Sequence, residues 1–398
     1  MAETFNVGIV LQEPFPVGMA ATNRVLSYAV ELAKNNNVKV YIPLASEYGS
    51  EIINKLPFGN FQGIEFEYIS KNTIWPIKAN KIVKLFIILK SVLNLLFVLR
   101  KDNPKVIIFY CNKNLITSSQ IVLTRLFTSI KIIIEESEYP KMHSKHTLSI
   151  FRKLNFLVYR IADGMIVMTN ELKTFYKTLN VNNIFVLPMT VNFERFINTN
   201  YILNTNERYF AYVGGNGGFK RDGLLDSVIA FNIFHKKYNR CKFYIIGPLD
   251  KSSRIFLELE EYIFNNNLEV YVLFLGAKST NEIPGYLQNA LGLIMTPPRD
   301  FVSGGFPTKL GEYLASGTPV ITTNVSEICN YLNDKNSFLV KPGDTNGIYL
   351  KMITIIENQD LAKSVGKNGQ ITAESIFGAK NYIKKLEYFL FKNNKASL

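Results

Sequence analysis

The chain has 398 residues, too many for one ordinary hydrophobic core and enough for two domains of roughly 150 to 200 residues. With 47% apolar and 19% charged residues, and neither a low-complexity tract nor a solenoid period, the composition excludes disorder and repeat architectures. The formal net charge of +13 implies a negatively charged partner, whether nucleic acid, anionic membrane or phosphorylated ligand, and only the placement of the charges separates these.

The start, Met1-Ala2-Glu3-Thr4, lacks the basic-then-apolar pattern of a secretory signal, and residues 5–11 read as a first strand. Cys111, Cys241 and Cys329 are far apart and lack CxxC spacing, which argues against a disulfide framework or zinc site and predicts a reducing, cytoplasmic setting. Gly18-Met19-Ala20 opens a helix containing Arg24, just past a strand end, where open α/β sheets bind ligands. Strands are expected next at 38–43 and 64–68. Between residues 77 and 105, seven basic residues (Lys78, Lys81, Lys84, Lys90, Arg100, Lys101, Lys105) face Asp102 alone within a dense aliphatic pattern, which predicts a basic amphipathic helix over 77–101. Its apolar run, 82–99, is broken by Lys84, Lys90, Ser91 and Asn94. The pattern therefore predicts peripheral contact with an anionic membrane through snorkelling lysines, or a helix packed on a sheet with a solvated basic edge, rather than a bilayer span. Because the basic residues accompany aliphatic stripes instead of exposed aromatics, nucleic acid is not expected as a partner.

Strands at 106–110 and 132–135 follow. Glu135-Glu136-Ser137-Glu138 ends the second of them, either as an acceptor-hydroxyl contact with Glu138 as candidate acid-base group, or as a salt-bridged strand end. His143 and His146 form HxxH beside Lys141 and Lys145, with no third ligand evident, and read as a basic patch rather than a metal site. Strands at 165–168 and 184–187 complete a first domain over 1–192, and the polar, Asn-rich segment 193–207 predicts a linker. The strand pattern restarts at 209–213, continues with a helix near 224–236 and strands at 243–246, 270–275, 291–295, 320–323 and 338–340, and defines a second domain over 208–376. Residues 377–398 show helical spacing and are expected to pack back on the first domain. Short strands alternating with helices throughout predict an α/β fold of two Rossmann-like, doubly wound domains.

Gly214-Gly215-Asn216-Gly217-Gly218-Phe219-Lys220 follows the first strand of the second domain. It does not match GxGxxG with an acid about 20 residues on, so a dinucleotide site is not expected. Lys220, with Arg221 beside it, suits a phosphate leaving group as a point charge; a solvated loop lysine is the alternative. Further on, Gly304-Gly305-Phe306-Pro307-Thr308-Lys309-Leu310-Gly311-Glu312 leads into a helix that Gly317 and Pro319 end. Pro307 is expected at the first helical position, where its missing N–H costs nothing. The amides beside Thr308 are orphan donors at the positive end of a helix dipole and can hold a diphosphate without a metal. Glu312 lies one turn on, about 6 Å along the axis, placed for ribose hydroxyls.

The stretch from Gly304 to Val320 resembles the signature of the family 4 retaining glycosyltransferases, which share the GT-B fold. Ala162-Asp163-Gly164-Met165-Ile166-Val167-Met168-Thr169 is similar to that family's late first-domain strand. Leu187-Pro188-Met189-Thr190-Val191-Asn192-Phe193-Glu194-Arg195-Phe196 resembles its entry to the linker, and Tyr212-Val213-Gly214 through Lys220 the start of its donor-binding domain. The resemblance runs nearly end to end. It implies that Glu312 holds ribose hydroxyls, that Lys220 binds the diphosphate, and that Thr308 with its neighbours, Gly304, Gly305, Phe306, Pro307 and Lys309, cradles the pyrophosphate. It likewise implies that Gly18 faces the donor, with Gly215 and Arg221 near the phosphates. Three positions depart from the family pattern. Gly304 stands where a first glutamate is usual, Gly215 or Asn216 where a basic residue is common, and Ser137 and Glu138 where a histidine often lies.

What the resemblance implies is transfer of a sugar from a nucleoside diphosphate sugar to a glycan or lipid-linked acceptor, with retention and without a metal or other cofactor, in the synthesis of bacterial cell-surface polysaccharide or glycolipid. No DxD motif occurs in the chain. A degenerate nucleotide-binding scaffold and a nucleotide-sugar epimerase are the competing readings.

Overall fold

The computed structural model describes residues 3–47, 52–110, 115–140, 156–197, 207–301 and 304–392. Cys111, the HxxH pair with Lys141 and Lys145, and 198–206 of the expected linker lie outside the described residues. By contacts the chain divides into two compact units, Met1–Thr190 with Ala379–Leu398, and Val191–Gly378.

The first unit is built on one sheet. Its strands are β1 (Asn6–Val10), β2 (Asn37–Ile42), β3 (Phe58–Phe61), β4 (Ile64–Tyr68), β5 (Val106–Tyr110), β6 (Lys131–Glu136), β7 (Gly164–Val167) and β8 (Ile184–Val186). They lie in the order β3-β4-β2-β1-β5-β6-β7-β8, parallel throughout except for the β3–β4 pair. Near-continuous Val/Ile runs such as β5 are buried on both faces, as a parallel sheet covered by helices requires. Its helices include α1 (Ala20–Ala33), α2 (Lys81–Asp102), α3 (Leu115–Phe127) and α4 (Asn170–Thr178). β3 escapes the sequence reading because Phe58-Gly-Asn-Phe61 is short and half glycine-and-polar; a turn at Gln62 and Gly63, with φ of 52° and 82°, folds it back on β4.

The second unit opens with α5 (Glu194–Ile197), inside the segment expected as linker. Its strands are β9 (Arg208–Val213), β10 (Cys241–Ile246), β11 (Val272–Gly276), β12 (Gly292–Met295), β13 (Val320–Thr323) and β14 (Phe338–Val340). The order β11-β10-β9-β12-β13-β14 is all parallel and reverses beside β9, which makes the mouth above β9 the switch point of a doubly wound sheet. Its remaining helices are α6 (Asn216–Phe219), α7 (Leu224–His235), α8 (Arg254–Asn265), α9 (Ile283–Gln288), α10 (Thr308–Ala315), α11 (Thr345–Glu357) and α12 (Gln359–Phe377).

Helix α2 begins four residues later than the charge pattern suggests, because Asn80 caps it, accepting from the Val83 N–H at 2.9 Å. By length and composition it is long and apolar enough to cross a membrane, with a mean hydropathy of 2.4 over its best window. Only part of it is packed. Val92, Leu95, Leu96 and Leu99 are buried, while Ile82, Phe86, Leu89, Leu93 and Phe97 form an exposed stripe at i, i+4, i+7, i+11 and i+15. Ile82 is 79% exposed and Phe86 66%. Lys81, Lys90, Arg100 and Lys101 stand on the same helix.

After α12 the chain enters the first unit again. Helix α13 (Ile383–Phe391) buries Ile383, Leu386 and Leu390 in the core formed by Val25, Ala29 and Leu32 of α1 and by the sheet. Glu387 accepts from Asn36 Nδ2 at 2.8 Å, and Lys131 donates to the Phe389 carbonyl at 3.0 Å. Leu386 is fully buried, so Leu386→Ala is expected to cost about 2–5 kcal/mol by opening a cavity in the first unit. A denaturant titration checks this, and an unshifted midpoint would mean that α13 is dispensable to that core.

Candidate functional site

In the second unit the chain leaves β9 at Val213 and turns through the glycines. The sequence suggests an open loop, but residues 216–219 form the single turn of α6, capped by Gly215 and followed by Lys220. Lys220 is exposed and Arg221 half-exposed; Asp222, next in line, is fully buried. Tyr212 of β9 donates its hydroxyl proton to Asp222 Oδ2 at 2.7 Å, and Arg221 Nε donates to Asp222 Oδ1 at 3.2 Å.

Helix α10 supplies the third arm. Pro307, with φ −61° and ψ 119°, is the cap rather than the first helical residue, because its extended ψ keeps it outside the helix. Thr308 takes the first helical position and Lys309 the second. The helix ends at Ala315, with Ser316 as its C-terminal cap and Gly317 at φ +79° just beyond. Phe306 is buried against Phe377 and Tyr331, with ring centroids 4.7 and 5.5 Å away, so its ring anchors the loop from within the core. Gly304 and Gly305 are buried, and Gly304 has φ +74°. A glutamate at Gly304 would be strained by about 1–2 kcal/mol in this backbone conformation.

The Lys309 ammonium joins the glycine turn: it pairs with Asp222 Oδ2 and donates to the Tyr212 hydroxyl at 3.1 Å. Burial pushes the Lys309 ammonium below the usual lysine range, Asp222 opposes that shift, and Arg221 reinforces it. The Tyr212 hydroxyl is raised, first by burial and then by the Asp222 charge. Gly214 and Gly218 are required here by close approach. A Cβ on Gly218 would stand 2.6 Å from Lys309 Nζ and 2.7 Å from Tyr212 Oη, and one on Gly214 would strike Lys309 Nζ.

Glu312 lies one turn along α10 from Thr308 and accepts from Arg195 Nη1 at 2.8 Å, while Arg195 Nη2 donates to the Thr280 carbonyl at 3.1 Å. Both side chains are about one-fifth exposed, so the pair stays reachable from solvent. The next residue, Tyr313, is buried and accepts from the Val213 N–H at 2.6 Å, tying α10 to the end of β9.

Gly18 and Glu138 belong to the first unit. A Cβ on Gly18 would stand 2.5 Å from the Pro14 carbonyl oxygen, so the turn into α1 excludes other residues. Arg24 of α1 is buried and donates to Glu135 Oε1 at 2.9 Å, to the carbonyls of Leu187 and Pro188, and to Thr190. Glu135 also accepts from the Tyr28 hydroxyl at 2.7 Å, and Glu136 from the Tyr159 hydroxyl at 2.7 Å. Of the two readings of the acidic strand end, the salt bridge describes Glu135; Glu138 is exposed beyond the strand.

Asp222, Tyr212, Tyr313 and Arg195 were not singled out from the sequence. Asp222 could have been, as the acid closing a Lys-Arg-Asp run beside a glycine turn. Arg195 lies 117 positions from Glu312, and no local signal links them.

Two parallel-sheet units of this kind constitute a GT-B fold, and solved structures match along nearly the whole chain. Sucrose-phosphate synthase from Thermosynechococcus elongatus aligns with a TM-score of 0.72 at 14% identity, covering 97% of this chain and 99% of that one. HepE from Anabaena, solved in complex with UDP and glucose, aligns with a TM-score of 0.66 at 14% identity, over 97% and 99% of the two chains. Residues 193–372 match the family described as glycosyl transferases group 1. The capsular polysaccharide biosynthesis glycosyltransferase CapM of Staphylococcus aureus is 26% identical over 196 residues, 49% of this chain and 47% of that protein. The chain spans less than half the length of the curated relatives it matches.

Tyr313→Phe is expected to cost about 1–3 kcal/mol, because the Val213 N–H would lose its buried acceptor. Thermal or denaturant unfolding of the purified variant measures it; an unchanged midpoint would show that water replaces the hydroxyl.

Proposed function

We propose that this chain is a glycosyltransferase that moves a sugar from a nucleoside diphosphate sugar to a glycan or lipid-linked acceptor with retention, in cell-surface polysaccharide or glycolipid synthesis. The observation that carries the reading is that Lys309, at the second position of α10, reaches the glycine turn after β9, so one cationic side chain joins the two anion-ready backbone features of the unit. The two group 1 features that remain are the start of α10 for the pyrophosphate and Glu312 for the ribose. UDP in the HepE complex supports a nucleotide as the ligand class.

The chemistry is a same-face displacement. The acceptor oxygen bonds to the anomeric carbon as the bond from that carbon to the phosphate oxygen breaks, and the acceptor proton passes to the departing phosphate. No carboxylate nucleophile is required; the protein aligns the acceptor and stabilises the leaving diphosphate. Lys309, Arg221 and Lys220 provide that positive charge, and on this reading no metal takes part. Turnover is then expected to survive a chelator; loss on chelation, restored by a divalent ion, would contradict the metal-free reading.

A panel of nucleoside diphosphates and their sugars tests the donor site. Glu312→Ala is expected to weaken nucleotide binding ten- to a hundredfold, about 1.5–3 kcal/mol for a charged hydrogen bond. Unchanged affinity would remove the ribose assignment. A second reading, a binding scaffold without turnover, is favoured by Gly304, which leaves no side chain where the resembled signature has its first glutamate; nucleotide binding with no release from any donor and acceptor pair would support it.

For the acceptor we propose a lipid-linked substrate reached at the cytoplasmic face of an anionic membrane. The exposed stripe of α2 and its basic residues support this, because an apolar face beside lysines complements an anionic leaflet. Changing Lys81, Lys84 and Lys90 together to Glu is expected to weaken binding to anionic vesicles at least a hundredfold, each basic residue contributing about 1 kcal/mol. Unaltered vesicle binding, or self-association through α2 in place of it, would refute this part.

A further inference from the structure

We propose that Asp222 is a positioning residue for the donor's diphosphate: a buried carboxylate beneath the glycine turn that holds the Lys309 ammonium and the Arg221 guanidinium in place before the ligand arrives. The inference rests on the reading of this unit as a nucleoside diphosphate site, and adds to it a group that the ligand never has to touch.

Three observations carry it. Asp222 is fully buried, yet both of its oxygens serve cations that reach toward solvent: Oδ2 pairs with Lys309, whose side chain is 24% exposed, and Oδ1 with Arg221, 52% exposed. The pair is held from within the unit. The Tyr212 hydroxyl donates to Oδ2, the Asp222 N–H donates to the Gly218 carbonyl at 2.7 Å, and the Asp222 carbonyl accepts from the Thr296 N–H at 2.8 Å. Finally, the side of Lys309 that faces Gly214 and Gly218 is kept clear of any Cβ, so the ammonium lies against bare backbone. With Lys220 next to Arg221 in the chain and Glu312 paired with Arg195, four cations and two anions lie about the turn and α10, an excess of two positive charges for a diphosphate. Unlike Arg24 in the first unit, whose partners are buried carbonyls and a buried carboxylate, this cluster opens outward.

The charge on Lys309 depends on Asp222. Burial alone favours the neutral amine, and the carboxylate opposes it. The charged groups facing this ammonium are Asp222 and Arg221 after α6 and Glu312 on α10; Tyr212 of β9 is a neutral neighbour. Removing the carboxylate therefore lowers the pH at which Lys309 loses its proton, and diphosphate affinity falls with it as pH rises.

The test is Asp222→Asn, nearly isosteric, with binding of UDP, GDP, ADP and CDP and of the corresponding nucleosides measured from pH 6 to pH 9. The expected result is at least a tenfold loss of diphosphate affinity at pH 8, little loss at pH 6, and nucleoside affinity unchanged throughout. Lys309→Met is expected to lose the same diphosphate affinity at every pH. If Asp222→Asn binds diphosphate more tightly, the carboxylate only repels the ligand and the proposal fails. It fails equally if diphosphate and nucleoside affinities drop by one pH-independent factor, which is the mark of a structural defect. Should Asp222→Asn not fold, Lys309→Met decides, since its failure to separate diphosphate from nucleoside would overturn the inference. Wild-type protein that binds the diphosphates, and loses them in Glu312→Ala but not in Lys309→Met, would leave the donor site standing and remove the inference alone. Wild-type protein that binds none of them would overturn both.

Discussion

Parallel strands cannot be joined by tight turns, so each must be followed by a crossover, and the side to which that crossover runs decides where a sheet leaves room for a ligand. In the second unit the strands after β9 first proceed outward through β10 and β11, and the chain then returns to the other side of β9 for β12, β13 and β14. The connections that leave β9 and β12 therefore diverge. The space above β9 stays open, and into it turn the glycines of 214–218, the end of α6 and the start of α10. Tyr313 makes this arrangement rigid by binding the backbone of Val213 from the second turn of α10. A sheet without that reversal would have covered the same residues with a helix.

Electrostatics then separates two buried acid-base clusters among the described residues. Arg24 and Glu135 are both almost wholly out of water, and the arginine's donors are taken by Glu135, Leu187, Pro188 and Thr190. Burying such a pair contributes little net stability, but removing one member strands the other charge, at a cost of about 3–5 kcal/mol. It therefore acts as a pin, joining α1 and β6 to the chain just after β8. The cluster at Asp222 is buried only at its carboxylate. Its cations remain in part solvated, and the backbone around them carries no side chain, which is the arrangement of a site rather than of a core.

Helix α2 presents a conflict of another kind. Its carboxy-terminal half has the buried face of an ordinary sheet-packing helix, while the stripe from Ile82 to Phe97 puts large apolar side chains into water. Scattered exposed apolar residues are normal, but five in register on one helix, with lysines beside them, are not explained by packing within the first unit.

The sequence by itself determined the class of the fold, because fully buried parallel strands must read as aliphatic runs and the helices between them as longer amphipathic ones. It also located the glycine turn and the start of α10, whose punctuation by Gly and Pro follows from backbone sterics alone, although it placed Pro307 one position too far into the helix. The tertiary structure alone decided the partners. Lys309 meets Asp222 across 87 positions and Glu312 meets Arg195 across 117, and no periodicity records such meetings. It likewise decided that α13 completes the core of the first unit, and that the Phe306 ring faces inward. Local signals are set by the chemistry of a few neighbouring residues, whereas the pairing of buried charges is set by which strands the fold brings side by side.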